Sequence, residues 1–347
     1  MLLKNDGLLP LKRESLKKLA VFGAGANKLP VGENYSGPFK RLWEAPDAKT
    51  PLEYLREYLE GYAEVIFAED EDIDTVAAAC DAALYLTAVV EGEGMDRSDI
   101  RLPGVTRKAQ ADESAIIVGK FEAEIKTDQE DSIRRMTAAN KNSAVILLNG
   151  APVDMTAWLE DCAAVLEAWY PGEQGGYGVA DVLFGDTDAS GRLPISFPRS
   201  AGHIPSFYNH KVSARGFYKK RGTLQQPGRD YVFDTPDALF PFGHGLSYTT
   251  FAYSDLTVPQ TAKIGEAVQV SVTVENPGDR RGCEVVQLYV TDRFCRITPF
   301  VRQLRGFQKL WLEPGEKKTV NFTLGFEDFA FINEKMEREV EPGEFVI

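Results

Sequence analysis

Between Leu19 and Gly185, short runs of apolar and β-branched residues alternate with longer stretches in which apolar positions recur every three or four residues. That alternation is the pattern of a parallel sheet whose crossovers are helices. Strands are expected at Leu19–Phe22, Glu64–Ala68, Ala83–Val90, Ala144–Leu148 and Ala164–Trp169. A run such as Ala144-Val145-Ile146-Leu147-Leu148 has no polar alternation, so helices must cover both of its faces. Thr50–Tyr62 reads as a helix, because Thr50-Pro51 supplies a cap and a proline at the first helical position, and Leu52, Leu55 and Leu59 fall on one face. Asp128–Asn142 reads as another. After Pro198 the helical period disappears, and Tyr208 to Leu239 is an irregular connection. Strict alternation then appears at Ala267–Glu275, Val285–Val290 and Val320–Leu324, separated by the turn signals Asn276-Pro277-Gly278 and Glu313-Pro314-Gly315. The expected division is an α/β domain over residues 1–200, a connecting segment over 201–250 and a small antiparallel β-sandwich over 251–347.

Composition narrows the function classes. Of the 347 residues, 44% are hydrophobic and 26% charged, the balance of a globular chain with an ordinary core. A net charge of −13 repels phosphate backbones and anionic lipid, and the one basic cluster, Lys219-Lys220-Arg221, is a short solvated loop, so nucleic acid and membrane are not expected partners. Cys80, Cys162, Cys283 and Cys295 lack CxxC spacing and read as buried thiols in a reducing compartment. With no secretory pattern in residues 1–11 and no run of 18 apolar residues, the expected location is cytoplasmic.

Gly23-Ala24-Gly25 follows a strand, but the third glycine of a dinucleotide loop is missing and the next clear helix begins some 25 residues later, so a tight exit turn is the better reading. No G-x-S-x-G elbow occurs, and three scattered histidines with four scattered cysteines offer no metal pair. Neither cofactor nor metal is expected. Gly175-Gly176 suggests close contact between a helix and the sheet. The strongest chemical feature is the acidic segment Val90-Glu91-Gly92-Glu93-Gly94-Met95-Asp96-Arg97-Ser98-Asp99 at the carboxyl end of the third strand, where parallel sheets place their ligands. Neighbouring negative charge raises a carboxyl pKa and an arginine lowers it, so the cluster can poise a proton donor; the simpler alternative is a solvated acidic turn with an Asp96–Arg97 ion pair.

Six segments in order carry a family resemblance: Leu2 to Leu11, the Glu-Gly-Met-Asp-Arg segment ending in Leu102-Pro103, Tyr170 to Gly176, Leu183 to Asp186, Ser190 to Pro194 and Pro241 to Tyr248. Together they resemble glycoside hydrolase family 3, in its α/β sandwich domain followed by a fibronectin type III-like domain. Leu304-Arg305-Gly306-Phe307, Leu312-Glu313-Pro314-Gly315-Glu316 and Glu341-Pro342-Gly343-Glu344-Phe345 resemble the latter. The resemblance implies a retaining, exo-acting β-glycosidase, β-glucosidase by default and β-xylosidase-like as the alternative, with β-linked glucosides or short oligosaccharides as substrates. A non-catalytic carbohydrate-binding or assembly module is the reading from another class. The resemblance also implies that Glu93 is the general acid/base, with Glu91 as the alternative and Asp96 and Arg97 supporting the loop. The TIM barrel that supplies the family's nucleophile has no counterpart here, so no nucleophile is assigned and a barrel in the same or another chain is an expected partner. Residues Gly104–Asp131 look like a helical or mobile insertion. The sandwich looks short of its last strand, which leaves an edge open to pairing and makes homo-oligomerisation an expectation.

Overall fold

The computed structural model describes residues 1–28, 49–89, 97, 99–104, 127–211, 235 and 237–347. They form two units: Met1–Ala189 with Phe197–Gly202, and Ser190–Ser196 with His203–Ile347.

The first unit is built on a six-stranded sheet. Its strands are β1 (Leu2–Asn5), β2 (Lys18–Phe22), β3 (Glu64–Phe67), β4 (Ala82–Leu86), β5 (Ser143–Leu147) and β6 (Ala164–Glu167), in the order β1-β6-β5-β4-β2-β3. β2 to β6 are parallel, and β1 joins the edge antiparallel to β6. The alternation of strand and helix signals thus gives the mostly parallel, helix-covered sheet it predicts. β4 and β5 are buried at every position, which is what their continuous apolar runs require.

The helices follow from their caps. α1 (Pro51–Tyr58) begins with a capping box in which the Thr50 hydroxyl accepts from Glu53 N and the Glu53 carboxylate accepts from Thr50 N. Leu52, Leu55 and Leu59 are all buried, as their spacing predicts. α2 (Ile73–Ala78) is a single short helix between β3 and β4. α3 (Gln129–Ala139) is capped by the Asp128 carboxylate, which accepts from the amides of Glu130 and Asp131 at 3.0 and 3.3 Å. α4 (Gly175–Phe184) ends at Gly185 in the left-handed conformation, φ 75°.

Two strands end sooner than their apolar runs suggest. The run expected over Ala83–Val90 leaves the ladder after Leu86, and Val90 lies outside the described residues. The run ending at Trp169 stops at Glu167, whose carboxylate accepts from Trp169 N at 2.7 Å and holds Trp169 at φ 54°. In both places side chains satisfy backbone groups that a longer ladder would have paired.

The second unit contains two three-stranded antiparallel sheets. One holds β7 (Ala252–Thr257), β8 (Val268–Glu275) and β11 (Lys317–Leu324) in the order β11-β8-β7; the other holds β9 (Gly282–Asp292), β10 (Gln303–Leu312) and β14 (Phe345–Val346) in the order β10-β9-β14. A single turn of helix, α5 (Phe326–Phe329), and a small ribbon, β12 (Phe331–Ile332) with β13 (Arg338–Glu339), complete it. Val268 and Val270 pack with Leu288, Val290 and Leu324, while Val274 packs with Val286, Leu312 and Val320, so side chains from both sheets share the core of a small sandwich. Asn276 opens the predicted turn but is fully buried. Its amide donates to the carbonyls of Arg280 and Leu312, and its oxygen accepts from Thr249 Oγ1 and Gly278 N. β14 pairs with β9 only at Thr291 and Asp292.

Candidate active site

The sheet order creates a switch point. From β2 the chain moves to β3 on one side, then returns to place β4 on the other side of β2 and continues outward through β5 and β6. Crossovers therefore diverge at the β2/β4 boundary, and the carboxyl ends of those two strands border the crevice where open parallel sheets bind ligands. β2 leaves through Gly23-Ala24-Gly25, and the segment leaving β4 carries Glu91, Glu93, Asp96 and Arg97.

The two glycines have a packing reason. Gly25 N donates to Leu86 O at 3.2 Å, and a Cβ at Gly23 or Gly25 would collide with the backbone carbonyl of Leu86 or Thr87. Gly23 also has φ 89°. The turn is thus pressed against the end of β4.

Glu91, Glu93 and Asp96 lie outside the described residues, as do Lys219-Lys220-Arg221 and most of the Gly104–Asp131 stretch. Arg97 is described, and its Nη2 donates to Pro152 O at 2.8 Å. Both flanks of the acidic segment are anchored. Thr87 N donates to Ile146 O at 3.0 Å, and Thr87 Oγ1 accepts from Leu148 N at 3.1 Å. On the return side, Ile100 O accepts from Asp154 N at 2.8 Å, and Arg101 forms a forked pair with Glu130, a carboxylate only 2% exposed. Between the flanks sits Gln129, 1% exposed, whose Oε1 accepts from Ala88 N and whose Nε2 donates to both Ala88 O and Pro103 O, each at 2.9 Å.

Sequence reasoning missed Gln129, Glu130 and Thr87. The string Asp128-Gln129-Glu130-Asp131 reads as an acidic, solvated helix start, and only the fold turns two of its side chains inward. Beside them lies a buried polar cluster in which the Asp70 carboxylate accepts from Tyr85 Oη at 2.9 Å, from Ser132 Oγ at 2.8 Å and from Thr127 Oγ1. Burial, reinforced by the Asp70 charge, pushes the Tyr85 phenol far above its ordinary pKa. Above about pH 10 the unfolded chain releases this proton and the folded chain keeps it, so the unfolded state binds fewer protons and stability falls as pH rises. Tyr85→Phe is expected to lower Tm at pH 7 through the lost bond to Asp70, worth about 1–3 kcal/mol, and to make the decline of Tm between pH 9 and 11 shallower. Thermal melts across that range check both signs.

The profile described as "Glycosyl hydrolase family 3 C-terminal domain" matches residues 1–248. The chain belongs to glycosyl hydrolase family 3. A second profile, "Fibronectin type III-like domain", matches residues 284–347. Among relatives, "Periplasmic beta-glucosidase" of Salmonella typhimurium is 34% identical over 99% of this chain and 46% of its own length. "Beta-xylosidase" of Formosa agariphila is 33% identical over 100% of this chain and 46% of its own length. The crystal structure of a β-glucosidase from Listeria innocua in complex with isofagomine superposes with a TM-score of 0.83 at 30% identity, covering 99% of this chain and 46% of that one. The chain thus spans about half the length of the family 3 relatives it matches.

The name of the Salmonella relative corrects the cytoplasmic expectation. That expectation used residues 1–11 and the thiols, and neither carries the information. Leu2–Asn5 is a strand of the domain itself. None of the four cysteines forms a disulfide; Cys162 and Cys283 are buried but Cys80 and Cys295 are only half-buried, and burial pushes the Cys162 thiol up to about 12, which favours its unreactive protonated form.

Proposed function

We propose that this chain is the acid/base half of a secreted or periplasmic, retaining, exo-acting β-glycosidase. Terminal non-reducing β-D-glucosyl residues are its substrate, Glu93 is the general acid/base with Glu91 as the alternative, and Asp96 and Arg97 tune its charge. A barrel domain elsewhere in the same polypeptide supplies the nucleophile. The observation that carries this reading is the position of the Glu-Gly-Met-Asp-Arg segment: it follows β4 at the switch point of the sheet, and both of its flanks are anchored. Retention requires two carboxyl groups about 5–5.5 Å apart, one attacking the anomeric carbon and one moving the proton, and this chain contributes the second.

A β-xylosidase reading has its own support, since the relatives named for glucoside and xyloside are nearly equally similar, at 34% and 33% identity. The full-length enzyme assayed on aryl β-glucoside, β-xyloside and α-arabinoside separates the two. The β-glucoside is expected to turn over fastest and to release a β-configured first product by NMR; a xyloside preference would replace the substrate, and an inverted product would remove the mechanism. The 347-residue chain alone is expected to show no turnover, because a proton donor without the nucleophile loses the covalent route.

A further inference from the structure

Gln129 occupies a position that a helix-forming role does not explain. It is the first residue of α3, where a side chain ordinarily faces solvent, yet it is 1% exposed and uses its whole amide on backbone that is not helical. Its orientation is fixed by chemistry. Oε1 faces the Ala88 N–H, and the two Nε2 protons face two carbonyls, so a flipped amide would oppose donor to donor and acceptor to acceptor. Ala88 lies two residues beyond the end of β4, and Pro103 lies where the chain returns towards the sheet. One buried amide therefore ties together the departing and returning ends of the segment that contains Glu93.

The neighbouring contacts hold each side separately: Thr87 fixes the departing end to Ile146 and Leu148. On the return side, Arg97 donates to Pro152 O, Ile100 O accepts from Asp154 N and Arg101 pairs with Glu130. Among the described residues, Gln129 bonds to both flanks, and it does so from a helix packed on the sheet. General acid catalysis needs such support, because a donor displaced by about 1 Å can lose about 100-fold in rate, and a functional carboxyl is held in place by the groups behind it.

We propose that Gln129 is a positioning residue for the general acid/base, acting by fixing the separation of Ala88 and Pro103. The inference rests on the assignment of Glu93 and extends it to a residue whose amide is spent on the backbone of Ala88 and Pro103. In the full-length enzyme, Gln129→Leu removes all three bonds at similar volume, while Gln129→Glu keeps the acceptor for Ala88 N and loses both donors. For each folded variant, kcat/KM is measured on glycosides whose leaving groups span alkoxide to dinitrophenolate, with Glu93→Ala in parallel. Misplacing the acid should cost about 10–100-fold in kcat/KM on poor leaving groups and leave kcat/KM of the dinitrophenyl substrate nearly untouched, with kcat and KM for that substrate falling together because the same misplaced carboxylate is the base for deglycosylation. A loss of equal size on every leaving group, or no loss, would overturn the proposal while a steep leaving-group dependence of Glu93→Ala leaves the Glu93 assignment standing. Failure of both Gln129 variants to fold would also overturn it, by making the amide a requirement of folding. A flat dependence in Glu93→Ala would instead remove the Glu93 assignment itself.

Discussion

Glu93→Ala in the full-length enzyme is expected to slow hydrolysis of alkyl β-glucosides by about 10²–10⁴-fold, the range typical of a lost general acid. The loss should shrink for leaving groups that depart as stable phenolates, because these need little protonation as the glycosidic bond breaks. Deglycosylation should then limit turnover, since the same carboxylate deprotonates the attacking water. Azide needs no base. Adding it should restore turnover and yield a β-glycosyl azide, the configuration that two successive inversions produce. Glu91→Ala is the control, and it should keep a wild-type leaving-group dependence and show no rescue. Rescue in Glu91→Ala alone would move the acid/base to Glu91, and rescue in neither would remove it from this segment.

The second large effect is on stability and depends on two glycines in one helix. Gly176 sits in the first turn of α4, where α4 packs on α1, and a Cβ there would overlap the Tyr54 ring, with two of its carbons only 2.7 Å away. Tyr54 cannot step aside cheaply. It is 1% exposed, its hydroxyl donates to Glu173 O at 3.2 Å, and its ring lies 3.9 Å from that of Tyr177. Gly176→Ala is therefore expected to cost about 1–3 kcal/mol or more, the usual range for overpacking. Gly178 lies two residues further along the same helix, and its Cβ would meet nothing within 4 Å. Gly178→Ala should gain about 0.4–1 kcal/mol by reducing the freedom of the unfolded chain. Chemical denaturation of both variants checks the pair. Shifts of the same sign would show that the Tyr54 contact does not control Gly176.

Gly175-Gly176 illustrates how far the sequence reaches. A glycine pair at a helix start signals a close approach, and the close approach exists, but its partner is a helix and not the sheet. Local composition records that space is short; it does not record what fills the space.

The sequence alone determined whatever depends on near neighbours. Thr50-Pro51 with Glu53 set the start of α1, continuous apolar runs marked strands covered on both faces, and alternating valines marked the sandwich. The ordered motifs placed the chain in its family and directed attention to Glu93. Tertiary structure decided the rest, because those choices pair residues far apart in the chain. Leu2–Asn5 becomes an antiparallel edge strand only by meeting Ala164–Glu167, and Ser190–Ser196 groups with the second unit although Phe197–Gly202 returns to the first. Gln129 and Asp131 are both polar residues in the first turn of one helix, and no local pattern separates them. One is buried because the chain brings Ala88 and Pro103 to that side of α3, where backbone groups without a ladder need a partner, while the other faces water.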